Sequence, residues 1–166
     1  MPVNPEARKT PEVRAFWADY RRVGGLANDA YDVVSYGDGP KLAETLTSLT
    51  AAGTKRATAG LLRDFKMGLE PMPRVGGYVV LLDAKGRPRL IWRTTEVTVK
   101  PFIEVDAAFA FDEGEGDRSL ADWLKGHRRY FTRQAAREGF EFDDRSPTVF
   151  ERFRVVWPPE LADSAS

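Results

Sequence analysis

The sequence predicts a single mixed α+β domain built around a small β-barrel or curled sheet. Its 166 residues fall within the size range of one domain. Hydrophobic residues make up 42% of the chain, which is enough for a packed core. The predicted order is two helices, a hairpin, a helix and a late strand, and it does not alternate as βαβ units. A doubly wound parallel sheet is therefore not expected.

Two helices are predicted before the hairpin. The segment TPEVRAFWADYRRVGG places Thr10 as an N-cap ahead of a helical apolar stripe and ends in a glycine pair. In GPKLAETLTSLTAAGTK, three leucines share one helical face, and Gly53 stands where a left-handed cap often ends a helix. The second helix is thus expected to end just before Lys55.

The hydrophobic period is no longer helical after Gly76. The runs YVVLL and RLIWRTTEVTV are rich in β-branched and aromatic residues and are joined by a turn over residues 83–88, which predicts a hairpin. Helical spacing returns in SLADWLKGHRRYFTRQAARE and stops at Gly139. The run VFERFRVVW predicts a closing strand.

Composition excludes several classes of site. The chain has no cysteine and one histidine, His127, so disulfides, thiolate zinc sites, cysteine nucleophiles and a poly-histidine metal site are not expected. The N-terminal segment MPVNPEARKTPE is polar, and no apolar run is long enough to span a membrane. We therefore expect a cytoplasmic protein with no membrane partner.

Charge is balanced overall but unevenly distributed. A net charge of zero argues against non-specific coating of nucleic acid. Six acidic and no basic residues lie between Glu104 and Asp117, whereas the following predicted helix is basic. In that helix Arg128, Arg129 and Arg133 are candidate phosphate ligands. His127 shares a face with two aromatic residues there and is expected to pack against that face.

The stretch GTKRATAG is the first candidate for chemistry. Lys55 and Thr58 are close enough in sequence to converge on one point, and Arg56 lies between them. A lysine of lowered pKa would serve as general base for the threonine hydroxyl, whereas a charged lysine would stabilise an oxyanion. The alternative is that Lys55 and Arg56 only complement the negative end of the preceding helix.

The acidic stretch DEGEGD is the second candidate. Glu113 and Glu115 flank a glycine, so either carboxylate could enter a cleft as an acid, a base or a partner for Lys55. No cofactor is required by the sequence, but a divalent cation is an alternative occupant of this stretch. The other alternative is a solvated loop in which Asp117 or Ser119 caps the next helix.

Five segments together resemble the larger bacterial branch of the ASCH family. They are YGDGPKLAETL, GTKRAT, PRVGGYVVLLDAKGRPRLIWRTTEV, PFIEV and EGEGDRSLADWLKGHRRYF. The resemblance runs from residue 35 to residue 157, so we expect residues 1–34 to be a helical segment packed on the same domain and residues 158–166 to be a flexible tail.

The resemblance implies a PUA-like β-barrel flanked by helices, with the GxKxxT segment lining a cleft. It implies a catalytic set of Lys55, Thr58 and a glutamate, which is either Glu113 or Glu115, and it suggests that Tyr36 closes the cleft. The implied partner is RNA or a nucleoside, and the implied activity is hydrolysis. We expect a ribonuclease-like hydrolase, for which Arg56, Arg63 and the basic helix would supply phosphate contacts. An amidohydrolase of acylated cytidine and a non-catalytic RNA- or nucleotide-binding module are the alternatives.

Overall fold

The computed structural model describes residues 4–164, and these residues form one curled five-stranded sheet flanked by helices. The strand order is β1-β3-β4-β5-β2; β1 and β3 are parallel, and the other neighbours are antiparallel. The prediction of a mixed α+β domain with a curled sheet is confirmed. The predicted N-terminal segment and tail include residues 1–3 and 165–166, which lie outside the described part of the chain.

The three long helices lie where the sequence predicted them. Thr10 accepts a hydrogen bond from the Val13 backbone N–H at the start of the first, and Ser119 accepts one from the Asp122 N–H at the start of the last. Gly139 ends that last helix in a left-handed conformation. The helices are α1 (Pro11–Gly24), α2 (Pro40–Ala51), α3 (Leu62–Lys66), α4 (Ala107–Glu113) and α5 (Leu120–Glu138), with 3-10 turns at Pro5–Arg8 and Phe102–Glu104.

The predicted hairpin and closing strand form the centre of the sheet. The strands are β1 (Asp32–Ser35), β2 (Ala57–Leu61), β3 (Tyr78–Leu82), β4 (Pro88–Pro101) and β5 (Pro147–Trp157). The short strands β1 and β2 and the helices α3 and α4 were not predicted. The sequence of β2, ATAGL, has a weak intrinsic preference for strand. Its hydrogen-bonded pairing with β5 therefore stabilises it as a strand.

Hydrophobic side chains hold α5 and α1 against the sheet. Phe131 and Trp123 of α5 pack on Phe102 and Phe150, whereas Trp17 of α1 packs in a separate cluster with residues of β1, β3 and β4. A buried side chain of this size stabilises the fold by roughly 1.5–3 kcal/mol relative to an exposed one. The packing leaves one side of β2 and β5 open to a cavity beside α2 and α5.

Candidate functional site

A cavity of about 660 Å³ lies beside the sheet and is lined by residues from strands, helices and loops. Its volume lies within the range of roughly 300–1,000 Å³ that is usual for small-molecule sites. Aromatic and charged side chains share the lining. The lining includes Tyr36, Lys55, Thr58, Trp92, Glu113, Glu115, Trp123, His127, Arg129, Arg133 and Glu151.

Lys55 is buried on the cavity wall, with 1% of its side chain exposed. The chain turns after α2 at Gly53, whose φ of 92° is a left-handed conformation, and the backbone N–H of Lys55 then donates to Leu49 O at 3.1 Å. This turn directs the residue inward, where Nζ contacts Ala57 O at 2.7 Å. The two other contacts of Nζ are with Glu113 Oε2 at 2.8 Å and Glu115 Oε2 at 3.3 Å.

Gly114 allows both glutamates to reach Lys55. Its φ is 74°, and a Cβ at this position would lie 2.5 Å from Thr54 O, so a side chain does not fit. A hydrogen bond from the Arg56 backbone N–H to Asp112 O, with a length of 2.7 Å, holds the two segments together beside this contact. The α4 C-terminus and the loop after α2 are therefore joined through backbone, which fixes the position of the carboxylates.

Burial and neighbouring charges shift the pKa values of the two glutamates in opposite directions. Burial opposes charge on Lys55, but the Glu113 and Glu115 carboxylates outweigh it and raise the pKa of Lys55 above its ordinary value. Burial likewise disfavours ionised Glu113, yet the Lys55 ammonium holds the pKa of Glu113 well below its usual range. Burial and the neighbouring Glu113 charge raise the pKa of Glu115 to about 7. Of the two roles predicted for Lys55, the geometry favours the charged one.

His127 extends the cluster on its other side. Its ring stacks on Trp123 at 3.9 Å between centroids, which agrees with the predicted packing role. In addition, Nδ1 lies 3.0 Å from Trp123 O and Nε2 lies 3.4 Å from Glu113 Oε1. A carbonyl oxygen only accepts hydrogen bonds, so Nδ1 carries a proton in that contact and Nε2 faces the carboxylate. Burial would lower the pKa of His127, but the Glu113 and Glu115 carboxylates raise it.

Thr58 and Tyr36 line the cavity with Lys55. Thr58 lies on β2 directly opposite Glu151 of β5, and its hydroxyl makes no hydrogen bond to any of residues 4–164. The Tyr36 ring lies 5.4 Å from Lys55 Nζ, and its hydroxyl shares a 2.9 Å hydrogen bond with Thr50. Burial raises the pKa of Tyr36 to about 12, so its hydroxyl keeps its proton. The structure therefore brings together Lys55, Thr58, both glutamates and Tyr36.

The five predicted arginine ligands do not share one surface. Arg129 and Arg133 line the cavity, and Arg133 pairs with Asp38 at 3.0 Å. The other three lie outside the cavity lining and form ion pairs: Arg56 with Asp163, Arg128 with Asp144, and Arg63 with Asp64 and Glu138, which both line the cavity. Arg137, which was not a predicted ligand, also lines the cavity. Helical spacing places Arg129, Arg133 and Arg137 along one edge of α5.

Glu113, Glu115 and His127 also have the composition of a cation site. One ligand atom of each lies within 4.8 Å of the others, and Glu113 Oε1 is buried without a hydrogen-bond partner among the described residues. The Lys55 ammonium, however, already contacts both carboxylates. A divalent cation would have to bind close to that positive charge, so the geometry favours the lysine as the counter-ion of the carboxylates.

Sequence reasoning missed two members of the site. His127 was assigned only to packing, although its position four residues after Trp123 also allowed it to reach back along the helix. Glu151 carried a clearer signal, because it occupies an inward position of an alternating strand whose other inward members, Val149, Phe153 and Val155, are buried and apolar. An acid at such a position indicates a polar partner or a site.

The fold and site thus define a small α+β protein with a buried lysine–glutamate cluster on the wall of a cavity of about 660 Å³. The sequence matches the family model for the ASCH domain over residues 32–157, and the chain belongs to that family. ASCH domains have a PUA-like fold that is often linked to RNA binding. Among residues 4–164, no helix has the length and apolarity needed to cross a membrane.

Two solved structures show the same fold along most of their length. The chain is similar to an ASCH domain from Lactobacillus crispatus JV V101, with 29% identity, a TM-score of 0.76, and coverage of 90% of this chain and 94% of that one. It is also similar to protein EF3133 from Enterococcus faecalis V583, with 32% identity, a TM-score of 0.78, and coverage of 87% and 88%. The comparison with curated proteins gave no match.

Proposed function

We propose that this protein is a hydrolase that binds a nucleoside or nucleotide in the cavity and cleaves an acyl amide on its base. The observation that carries the proposal is the cluster of Lys55, Glu113 and Glu115 on the cavity wall, in which the pKa of Glu115 is raised to about 7. A carboxyl group with a pKa near neutrality both accepts and donates protons efficiently at physiological pH. The Glu115 side chain is 29% exposed, so it is accessible to a ligand.

The proposed reaction assigns one role to each group. Glu115 takes a proton from the attacking oxygen, which belongs to water or to the Thr58 hydroxyl, as the new C–O bond forms at the acyl carbon. The same proton then passes to the amide nitrogen as the C–N bond breaks, which releases the free amino group. Lys55 remains charged and stabilises the negative charge that develops nearby. If Thr58 attacks, a water molecule then hydrolyses the resulting Thr58 ester. Both routes therefore give a carboxylic acid and a base that carries a free amino group.

The charges of the cavity favour this reaction over cleavage of an RNA strand. A ribonuclease site needs several cations around the scissile phosphate, yet Arg56, Arg63 and Arg128 lie outside the cavity lining and are paired with acids. Near Lys55, carboxyl groups of Glu113, Glu115 and Glu151 line the cavity and would repel a phosphodiester. Arg129 and Arg133 could instead hold the phosphate of a nucleotide, or flanking phosphates of an RNA whose base enters the cavity.

Turnover measurements with two substrates test the proposal. The purified protein is assayed with N4-acetylcytidine and with a single-stranded RNA oligonucleotide, each with and without Mg²⁺. We expect hydrolysis of the acylated nucleoside, and a fall of about 10²–10⁴-fold in kcat with a small change in KM for Glu115→Gln. Thr58→Ala should remain folded, and it should lose most turnover if the Thr58 hydroxyl, rather than water, is the attacking group. Glu141→Gln, an exposed position, is the matched control.

The outcomes separate the enzyme from its alternatives. Cleavage of RNA but not of the acylated nucleoside would replace the proposed activity with a ribonuclease. If neither substrate turns over but nucleosides or RNA bind, the protein is a binding module, and the three satisfied contacts of Lys55 Nζ then have a structural role.

A further inference from the structure

Glu151 is a buried acid on the cavity wall to which the proposed reaction gives no role. It lies in β5, it is 7% exposed, and it lines the same cavity as Lys55 and Thr58. Burying a carboxylate among apolar side chains is costly unless hydrogen bonds or a charge compensate it. The contacts of its two oxygens therefore indicate what the residue does.

The two oxygens of Glu151 have different surroundings. Oε2 accepts hydrogen bonds from Trp92 Nε1 at 3.1 Å and from Thr94 Oγ1 at 2.7 Å. The indole N–H only donates, so Oε2 is fixed as an acceptor. Oε1 accepts no hydrogen bond from any of residues 4–164. One half of the carboxyl group is thus held by the protein, and the other half is available to a ligand.

The register of the sheet directs Glu151 toward the reacting groups. Thr58 of β2 pairs with Glu151 of β5, and directly opposed residues of antiparallel strands project to the same face. The rings of Trp92 and Tyr36 line the cavity near this pair, and they lie 6.3 Å apart in a stacked orientation. The open oxygen therefore lies on a wall that combines aromatic rings with a hydroxyl, which suits the edge of a planar heterocycle.

We propose that Glu151 determines base specificity by accepting a hydrogen bond from an exocyclic amino or amide N–H group of the bound nucleobase. The open oxygen of Glu151 is an acceptor on a wall that also carries the Trp92 and Tyr36 rings, and a planar base with an N–H donor matches both features. A base without such a donor would leave Oε1 of Glu151 without a hydrogen bond and would bind more weakly. This inference rests on the proposed function, because it takes the ligand to be a nucleoside or nucleotide.

The substitution Glu151→Gln inverts the polarity of the open atom without changing its size. The Trp92 N–H requires an acceptor, so the amide oxygen must take the position of Oε2 and the amide NH₂ must face the cavity. The matched control is Glu96→Gln, an exposed glutamate of β4 that pairs with Arg152 outside this cavity. Binding of cytidine, N4,N4-dimethylcytidine, adenosine and N6,N6-dimethyladenosine is measured by calorimetry for the parent and both variants.

The parent should bind the amino-bearing member of at least one pair about tenfold or more tightly than the dimethylated member, as expected for a hydrogen bond to a charged group. Glu151→Gln should weaken binding of the amino-bearing base by a similar factor and change the dimethylated one by less than about threefold. Glu96→Gln should match the parent. Equal affinities of the parent for both members of each pair would overturn the inference, and this result does not depend on whether Glu151→Gln folds.

The result also separates this inference from the proposed function. Nucleoside binding with unchanged selectivity in Glu151→Gln overturns the role of Glu151 and leaves the hydrolase proposal to its own assay. Absence of binding of all four nucleosides overturns the role of Glu151, whereas turnover of the acylated nucleoside still decides the hydrolase proposal. Selective binding without hydrolysis retains Glu151 as the specificity residue and rejects only the enzyme.

Discussion

Lys55 Nζ and Glu113 Oε2 lie 2.8 Å apart, and each side chain is only 1% exposed. The two residues are 58 positions apart in the sequence and come from the loop after α2 and the end of α4. A buried charge without its partner is far less stable than the pair, so neither residue is readily replaced alone.

The first prediction concerns this ion pair. Lys55→Met should lower the free energy of unfolding by about 3–5 kcal/mol, because it leaves the Glu113 carboxylate buried and uncompensated. The double variant Lys55→Met/Glu113→Gln should be more stable than Lys55→Met, since both charges are then removed. Urea unfolding followed by circular dichroism provides the measurement, and Lys41→Met, at an exposed position of α2, is the control. A double variant whose destabilisation equals the sum of the two single ones would contradict a coupled pair.

The second prediction concerns the raised pKa of Glu115. If Glu115 is the general base, kcat/KM for the acylated nucleoside should rise with pH and reach half its maximum near pH 7, where this carboxyl group loses its proton. Glu115→Gln should give a low rate without that rise. A parent profile that falls through pH 7 would instead assign the protonated acid to the first step.

Folding stability should depend on the same group. The pKa of Glu115 is raised in the folded protein above its ordinary value of 4.5, so the folded state retains a proton that the unfolded chain has released. The contribution of Glu115 is fully present below about pH 4.5 and is lost as the pH rises through about 7. The unfolding midpoint of the parent should therefore fall relative to that of Glu115→Gln as the pH rises across this range. Parallel curves for the two proteins would argue against the shift.

The third prediction concerns Gly114 and has an internal control. Gly114 and Gly139 have nearly the same backbone conformation, with φ values of 74° and 76°, but only Gly114 is crowded. Gly139→Ala should cost about 1–2 kcal/mol for the left-handed conformation alone. Gly114→Ala adds a clash with Thr54 O and should cost more and reduce activity. Thermal unfolding of both variants measures the difference, and equal destabilisation would show that the close approach is not required.

The fourth prediction separates the arginines of α5. Arg129→Gln and Arg133→Gln should each weaken RNA binding. The slope of log affinity against log salt concentration should become less negative by about 0.7 for each phosphate that is no longer neutralised. Arg128→Gln is the matched control, because Arg128 is paired with Asp144 and lies outside the cavity lining. Binding titrations over a range of salt concentrations provide the slopes. Equal slopes for Arg129→Gln and the parent would remove Arg129 as a phosphate ligand.

Local sequence determined the long elements and part of the site. The boundaries of α1 and α5 follow from Thr10, Ser119 and Gly139, whose side chains or backbone freedom act within a few residues of the helix ends. The hairpin and β5 follow from runs that are rich in β-branched and aromatic residues. Lys55 and the two glutamates were chosen from their segments and the family resemblance, and the structure does bring them together.

Only the tertiary structure decided which charged side chains pair with one another and which protonation state they favour. Local sequence makes Arg128 and Arg129 similar candidates, but only Arg129 lines the cavity, whereas Arg128 lies about 100° away around the helix and pairs with Asp144. The pKa of Glu115 and the contact between His127 and Glu113 depend on burial and on neighbours far away in sequence. Glu151 gains its open oxygen only because Trp92 and Thr94 of β4 occupy the other one. These properties depend on burial and on contacts between residues far apart in the sequence, so the local sequence pattern does not predict them.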